Sequence, residues 1–152
     1  MCELPLFTKQ CGCELCLELS KDELVLRRFP NFSIIFNRYP YVPGHIMILS
    51  NFHILNNFNA LTDVQKIELM DILVWAQNTL IKATGYNSLN IGMNIGPHSG
   101  GSIPEHFHLH IIPRSQNDVN FMTLTTNQPV SVSPHFQYYN FYKHIYDIFQ
   151  IS

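Results

Sequence analysis

Residues 106–114 read His-Phe-His-Leu-His-Ile-Ile-Pro-Arg, an alternation of polar and apolar side chains that admits a strand and little else. Successive side chains of an extended chain point to opposite faces. His106, His108 and His110 therefore share one face, while Phe107, Leu109 and Ile111 are driven into a core on the other. At about 3.3 Å per residue the imidazole row spans roughly 13 Å, enough to meet several linked phosphates or carbonyls and awkward for one small metal ion. A single strand histidine is usually a satisfied polar side chain. Three at alternate positions, straight after a glycine-rich loop, point to a site. That loop, Gly96-Pro97-His98-Ser99-Gly100-Gly101-Ser102, lets backbone N–H groups converge on anionic oxygens.

The rest of the chain bounds what such a site serves. With 152 residues, 46% hydrophobic and 12% aromatic, the sequence suits one packed domain without linker or repeat. A formal charge of −2 offers nucleic acid no general attraction, so bound phosphates must be held by a local site. The N-terminus lacks a basic stretch followed by an apolar run, and nowhere do about 18 apolar residues follow one another, which predicts a soluble cytoplasmic protein with no membrane partner. All four cysteines, Cys2, Cys11, Cys13 and Cys16, fall in the first sixteen residues, too close together to staple distant parts of a fold. They read as metal ligands or as free thiols, and Cys13-Glu-Leu-Cys16 has the spacing of a zinc knuckle.

Strands are expected at 24–29 and 32–37, joined by a turn at Pro30-Asn31, then at 45–50, where His45 opens HIMILS, and at 88–95. The clearest helix is 63–84, with a capping-box pattern at Thr62 and Gln65 and a stop at Gly85. Ile67, Met70, Val74 and Ile81 recur near the helical period and are expected to face the sheet. A second amphipathic helix is expected over 135–149, carrying Phe136, Tyr139, Tyr142, Tyr146 and Phe149, mainly as packing.

GMNIGPHSGGSIPEHFHLHIIPR resembles the signature of the histidine triad superfamily, and FNRYPYVPGHIMIL at 36–49 resembles that family's nucleotide-binding segment. Asn94-Ile95-Gly96, Ile103-Pro104-Glu105 and Asp118-Val119-Asn120-Phe121-Met122 resemble the branch holding bacterial diadenosine tetraphosphate phosphorylases and fragile-histidine-triad hydrolases. Two departures stand out. Ser115 replaces a common Trp, and Asn117-Asp118-Val119 stands where that branch commonly has Gly-Asp-Thr. The resemblance implies an α+β domain over 1–152, with a Cys-rich segment at 1–20, a five-stranded antiparallel sheet, one long helix and a C-terminal helix, assembled as a homodimer.

It also implies a nucleotidyl hydrolase or transferase acting on dinucleoside polyphosphates or related adenylylated compounds. His108 would attack the α-phosphorus through a neutral ring nitrogen, splitting one displacement into two. His110, with Gly100, Gly101 and Ser102, would stabilise the phosphoryl oxygens, and His45 would support the row. Asn37 would bind the ribose and Asn94 the phosphate or incoming nucleophile. By the same resemblance Cys13, Cys16, His53 and His106 would enclose a structural zinc, so that His106 belongs both to the triad and to the metal. Mg²⁺ would enter only with the substrate's phosphates, and no organic cofactor is expected. Two other readings stay open: a zinc-dependent hydrolase, in which an open-site ion activates water, and a nucleotide-binding sensor whose role does not need turnover.

Overall fold

The computed structural model describes residues 12–115 and 139–151. The expectations for 118–122, for Asn117, for Cys2 and Cys11, and for 135–138 with Phe136 lie outside them. The chain runs α1 (Glu14–Leu19), β1 (Val25–Arg28), β2 (Phe32–Phe36), β3 (Ile46–Ser50), a short 3-10 turn (Phe58–Ala60), α2 (Asp63–Thr84), β4 (Ser88–Gly92), β5 (His108–Arg114) and α3 (Tyr139–Ile151). The five strands form one antiparallel sheet in the order β1-β2-β3-β5-β4. This is the α+β architecture the sequence implied, with strand ends trimmed by a residue or more. β3 starts at Ile46 rather than His45, and β4 stops at Gly92.

The alternation in each strand builds a sheet covered on both faces. Phe32, Ile34 and Phe36 of β2, Ile46 and Ile48 of β3, and Leu109 and Ile111 of β5 join the larger core with α2, α3 and Phe107. Each such side chain contributes about 1.5–3 kcal/mol on full burial. The opposite face sets Ile35, Met47 and Leu49 against Leu15 and Leu19 of α1 in a smaller cluster. By register, Leu49 faces His108 and Met47 faces His110 across the β3–β5 ladder, so the histidines emerge on the α1 side.

α2 begins and ends where the sequence places it. The Thr62 hydroxyl accepts from the Gln65 N–H at 3.3 Å, the Gln65 side chain accepts from the Thr62 N–H at 2.9 Å, and Gly85 closes the helix at φ 73°. Its buried face, however, is not the expected one. Ile67, Met70 and Val74 are 67%, 56% and 49% exposed, Ile81 is only partly buried, and the sheet is met by Leu69, Ile72, Ala76, Leu80 and Ala83. The helix carries apolar residues on two faces, so periodicity alone had two solutions. The face bearing Ala76 and Ala83 lies against the core. α3 buries Tyr142, Ile145 and Phe149, while Tyr139 and Tyr146 are exposed.

Candidate active site and metal centre

The triad strand places its histidines in two different environments. β5 starts at His108, and His106 precedes it in a loop over 93–107. His108 and His110 line a cavity of about 430 Å³, whereas His106 is fully buried and turned toward the cysteines. The sequence reading gave His106 both a triad and a metal position; its side chain is not among those lining the cavity and lies against Cys13 and Cys16.

The protonation of each ring follows from its partners. His108 Nδ1 lies 2.8 Å from the His106 carbonyl, so this nitrogen carries the proton and donates it. That leaves Nε2 with its lone pair. The backbone N–H of Tyr41 donates to His45 Nδ1 at 3.2 Å, so neutral His45 is protonated at Nε2 and donates to His110 Nδ1 at 2.9 Å. His110 must then carry its own proton at Nε2. The arrangement yields one acceptor nitrogen at His108 and one donor at His110, on rings whose centroids stand 5.1 Å apart.

All three rings are held neutral at ordinary pH. Burial pushes His45 well below the usual imidazole value, helped by repulsion from His110 and His108. Burial lowers His108 as well, opposed by its bond to the His106 carbonyl. His110 is lowered to about 3, by burial and then by His108. Tyr41 covers the pair, its ring 4.8 Å from that of His45 and 6.0 Å from that of His110.

The other sequence-predicted residues gather at the same cavity. Asn37, Asn94, Gly100, Gly101 and Ser102 all line it, while His45 sits behind His110, fully buried. Gly100 takes φ 84°, a left-handed conformation that disfavours any other residue, which explains its place in the loop. Asn37 accepts the Tyr39 N–H through Oδ1 at 2.8 Å, and its amide nitrogen stands 3.4 Å from His45 Nε2.

Sequence reading missed the far wall. Leu15 and Leu17 of α1, Ile35 and Met47 give that end an apolar lining. Glu18, beside them, accepts two bonds from Arg38, Nε to Oε1 at 2.7 Å and Nη2 to Oε2 at 2.6 Å. Only the alternation of β2 and β3, which sends Ile35 and Met47 to the histidine face, could have signalled it.

Behind the cavity stands a second cluster. One ligand-type atom from each of Cys13, Cys16, His53 and His106 lies within 4.8 Å of all the others. His106 Nδ1 is 3.5 Å from Cys13 Sγ and 3.3 Å from Cys16 Sγ, and His53 Nδ1 is 3.4 Å from Cys16 Sγ. Tetrahedral zinc, with Zn–S about 2.3 Å and Zn–N about 2.0–2.1 Å, requires S···N separations near 3.5 Å, so the donor set fits that ion. The His106 Nε2–H donates to the Ser50 carbonyl at 2.9 Å, which aims Nδ1 at the sulfurs. Burial lowers His106 to about 4, so its ring needs no deprotonation to bind a metal at neutral pH.

A strand that sets two imidazoles on a cavity beside a glycine loop, with a two-Cys, two-His cluster next to it, is the arrangement of a histidine triad domain. The HIT domain family matches residues 18–117, and the chain belongs to that family. It is 35% identical over 108 residues to an AP-4-A phosphorylase of Mycobacterium tuberculosis, covering 70% of this chain and 55% of that relative. It is 27% identical over 121 residues to an asymmetrical bis(5'-nucleosyl)-tetraphosphatase of Schizosaccharomyces pombe, covering 70% of this chain and 65% of the relative. The chain thus spans little more than half the length of the mycobacterial relative.

Solved structures share the fold. A hypothetical histidine triad nucleotide-binding protein from Sulfolobus tokodaii superposes with TM-score 0.66 at 22% identity, covering 84% of each chain. A Zn-bound histidine triad family protein from Mycobacterium smegmatis gives 0.67 at 15% identity, covering 92% of this chain and 94% of that one. No helix among the described residues is long and apolar enough to cross a membrane.

Proposed function

We propose that this chain cleaves dinucleoside polyphosphates, or related adenylylated compounds, through a covalent nucleotidyl-histidine at His108. The observation that carries this is the ring of His108, held by the His106 carbonyl with Nε2 unprotonated on a side chain that lines the cavity. The Nε2 lone pair forms a bond to the α-phosphorus, and the P–O bond to the polyphosphate leaving group breaks, its electron pair departing on oxygen. A second nucleophile then attacks the same phosphorus and releases the ring. The Nε2–H of His110 donates to a phosphoryl oxygen, Gly100, Gly101 and Ser102 form the facing wall, Asn37 takes the ribose, and Asn94 the phosphate or second nucleophile.

Cys13, Cys16, His53 and His106 would hold a zinc ion. Four donors complete a tetrahedral shell and leave no open position for water, which supports a structural role rather than a hydrolytic one. When bound, the ion supplies a cross-link between α1 and the start of β5.

The substrate is tested directly with diadenosine tetraphosphate, with and without orthophosphate. Attack at the α-phosphorus releases ATP first. Water then yields AMP, whereas phosphate yields ADP and makes the chain a phosphorylase, as the name of its mycobacterial relative suggests. Release of two ADP with no ATP, or no release at all, would count against the proposal.

The resemblance also implies a homodimer. The exposed stripe Val64, Ile67, Met70 and Val74 on α2 supports one, because contiguous apolar surface on a helix is a common mark of a protein interface. The Ile67→Glu protein is expected to elute as a monomer from a sizing column at concentrations where the parent is a dimer. A parent that elutes as a monomer at every concentration would exclude it.

A further inference from the structure

Asn56 is picked out by no motif, yet its side chain joins the start of the triad strand to the approach of the glycine loop. It is buried, at 3% exposure. Its Oδ1 accepts the backbone N–H of His108 at 2.9 Å, and its Nδ2 donates to the Asn94 carbonyl at 2.8 Å. Its own N–H donates to the Pro104 carbonyl at 3.0 Å. These partners are the first residue of β5 and two points bracketing the glycine loop.

That loop has no regular structure of its own, so its position relative to His108 depends on where it is pinned. Asn94 carries the pinning forward. A methyl group on Gly101 would stand 2.8 Å from Asn94 Cβ, so the Asn94 side chain directly backs the loop residue that lines the cavity. Beside these contacts, the Phe107 N–H donates to the Ile54 carbonyl at 2.8 Å, which locks 54–56 along the approach to the triad strand.

We infer that Asn56 is a positioning residue, one side-chain amide that fixes the distance between His108 and the glycine loop. This rests on the reading of His108 as nucleophile. An amide is suited to the task because it offers a donor and an acceptor on one short side chain, one for each backbone group. Displacement of a reacting group by about 1 Å costs on the order of 10² in rate. The substrate's remote contacts, on Asn37 and the α1 wall, are untouched.

The experiment compares Asn56→Ala, Gly101→Ala and the double variant on diadenosine tetraphosphate, with AMP affinity and zinc content measured on the same samples. Asn56→Ala is expected to lower kcat about 100-fold while KM and AMP affinity stay within about threefold. The double variant should lose far less than the product of the two single losses, because both changes displace one loop. If the alanine protein does not fold, Asn56→Ser, which leaves room for a bridging water, is measured in its place. Multiplicative losses, kcat within about twofold of the parent, or a loss confined to KM would each overturn the assignment. Failure of the underlying reading looks different: the parent shows no turnover, or His108→Asn keeps it.

Discussion

His108→Asn is expected to lower turnover of diadenosine tetraphosphate by about 10⁴-fold or more, while nucleotide binding changes only a few-fold. The size follows from the role: removing a nucleophile abolishes the covalent route and leaves only what binding and oxyanion stabilisation supply. Asparagine can place an amide N–H where Nδ1–H donates to the His106 carbonyl, but it has no basic lone pair at nitrogen and no atom at the position of Nε2. Single-turnover kinetics with adenine-labelled substrate check the mechanism more closely. The parent should carry label on the protein after acid-free quenching, and the variant none. Turnover of the variant within about tenfold of the parent would sink His108 as nucleophile.

The pH dependence follows from the same ring. The reactive form is the neutral one, and burial holds His108 below the ordinary imidazole value of 6.5. Activity should therefore persist as pH falls through 6.5, where a free imidazole would be half protonated, and decline only at lower pH. Stability moves in the same direction. With His110 lowered to about 3 and His106 to about 4, the folded chain binds fewer protons than the unfolded chain between those values and about 6.5. Stability is thus full above about 6.5 and is lost as pH falls from there toward 3–4. Thermal melts across that range check the sign.

Much of this was legible in the sequence because local periodicity carried it. Alternation along the triad segment sends Phe107, Leu109 and Ile111 into the larger core, as read, whereas the faces of β2 and β3, buried at every position, were not assigned. α2 shows where periodicity fails. Apolar residues on two faces satisfy the same spacing, and the choice was made by the fit of Ala76 and Ala83 against the core, which is a tertiary property. Of the Cys/His cluster, the Cys13-x-x-Cys16 spacing was legible locally, whereas His53 and His106 entered only by resemblance, since no local pattern joins positions 53 and 106 to the cysteines. Asn56 was not legible at all. It sits in Leu-Asn-Asn-Phe-Asn, where Asn57 merely caps the 3-10 turn, and composition does not tell the hub from the cap.

Stripping the zinc we place among Cys13, Cys16, His53 and His106 is expected to cost about 4 kcal/mol or more of stability when free zinc had stood about 1,000-fold above its dissociation constant. For a chain of this size that lowers the midpoint of melting by roughly 8–16 °C. The damage should start at α1. It has only six residues, its N-cap Cys13 makes no side-chain cap bond, and helices this short do not hold themselves together in water. What anchors it is the burial of Leu15 and Leu19, the Glu18–Arg38 pair, and the two thiols if they share an ion with His53 and His106. Because Leu15 and Leu17 wall the far end of the cavity, a loosened α1 should raise KM for the nucleotide. His108 keeps its bonds to the His106 carbonyl and Asn56, so kcat should fall far less. Cys16→Ser should reproduce both effects without a chelator, since Cys16 Sγ faces both imidazoles of the cluster. Metal analysis, melting and steady-state kinetics on one preparation decide the matter: a chain purified without zinc, or one whose melting ignores both chelation and Cys16→Ser, has no metal centre there.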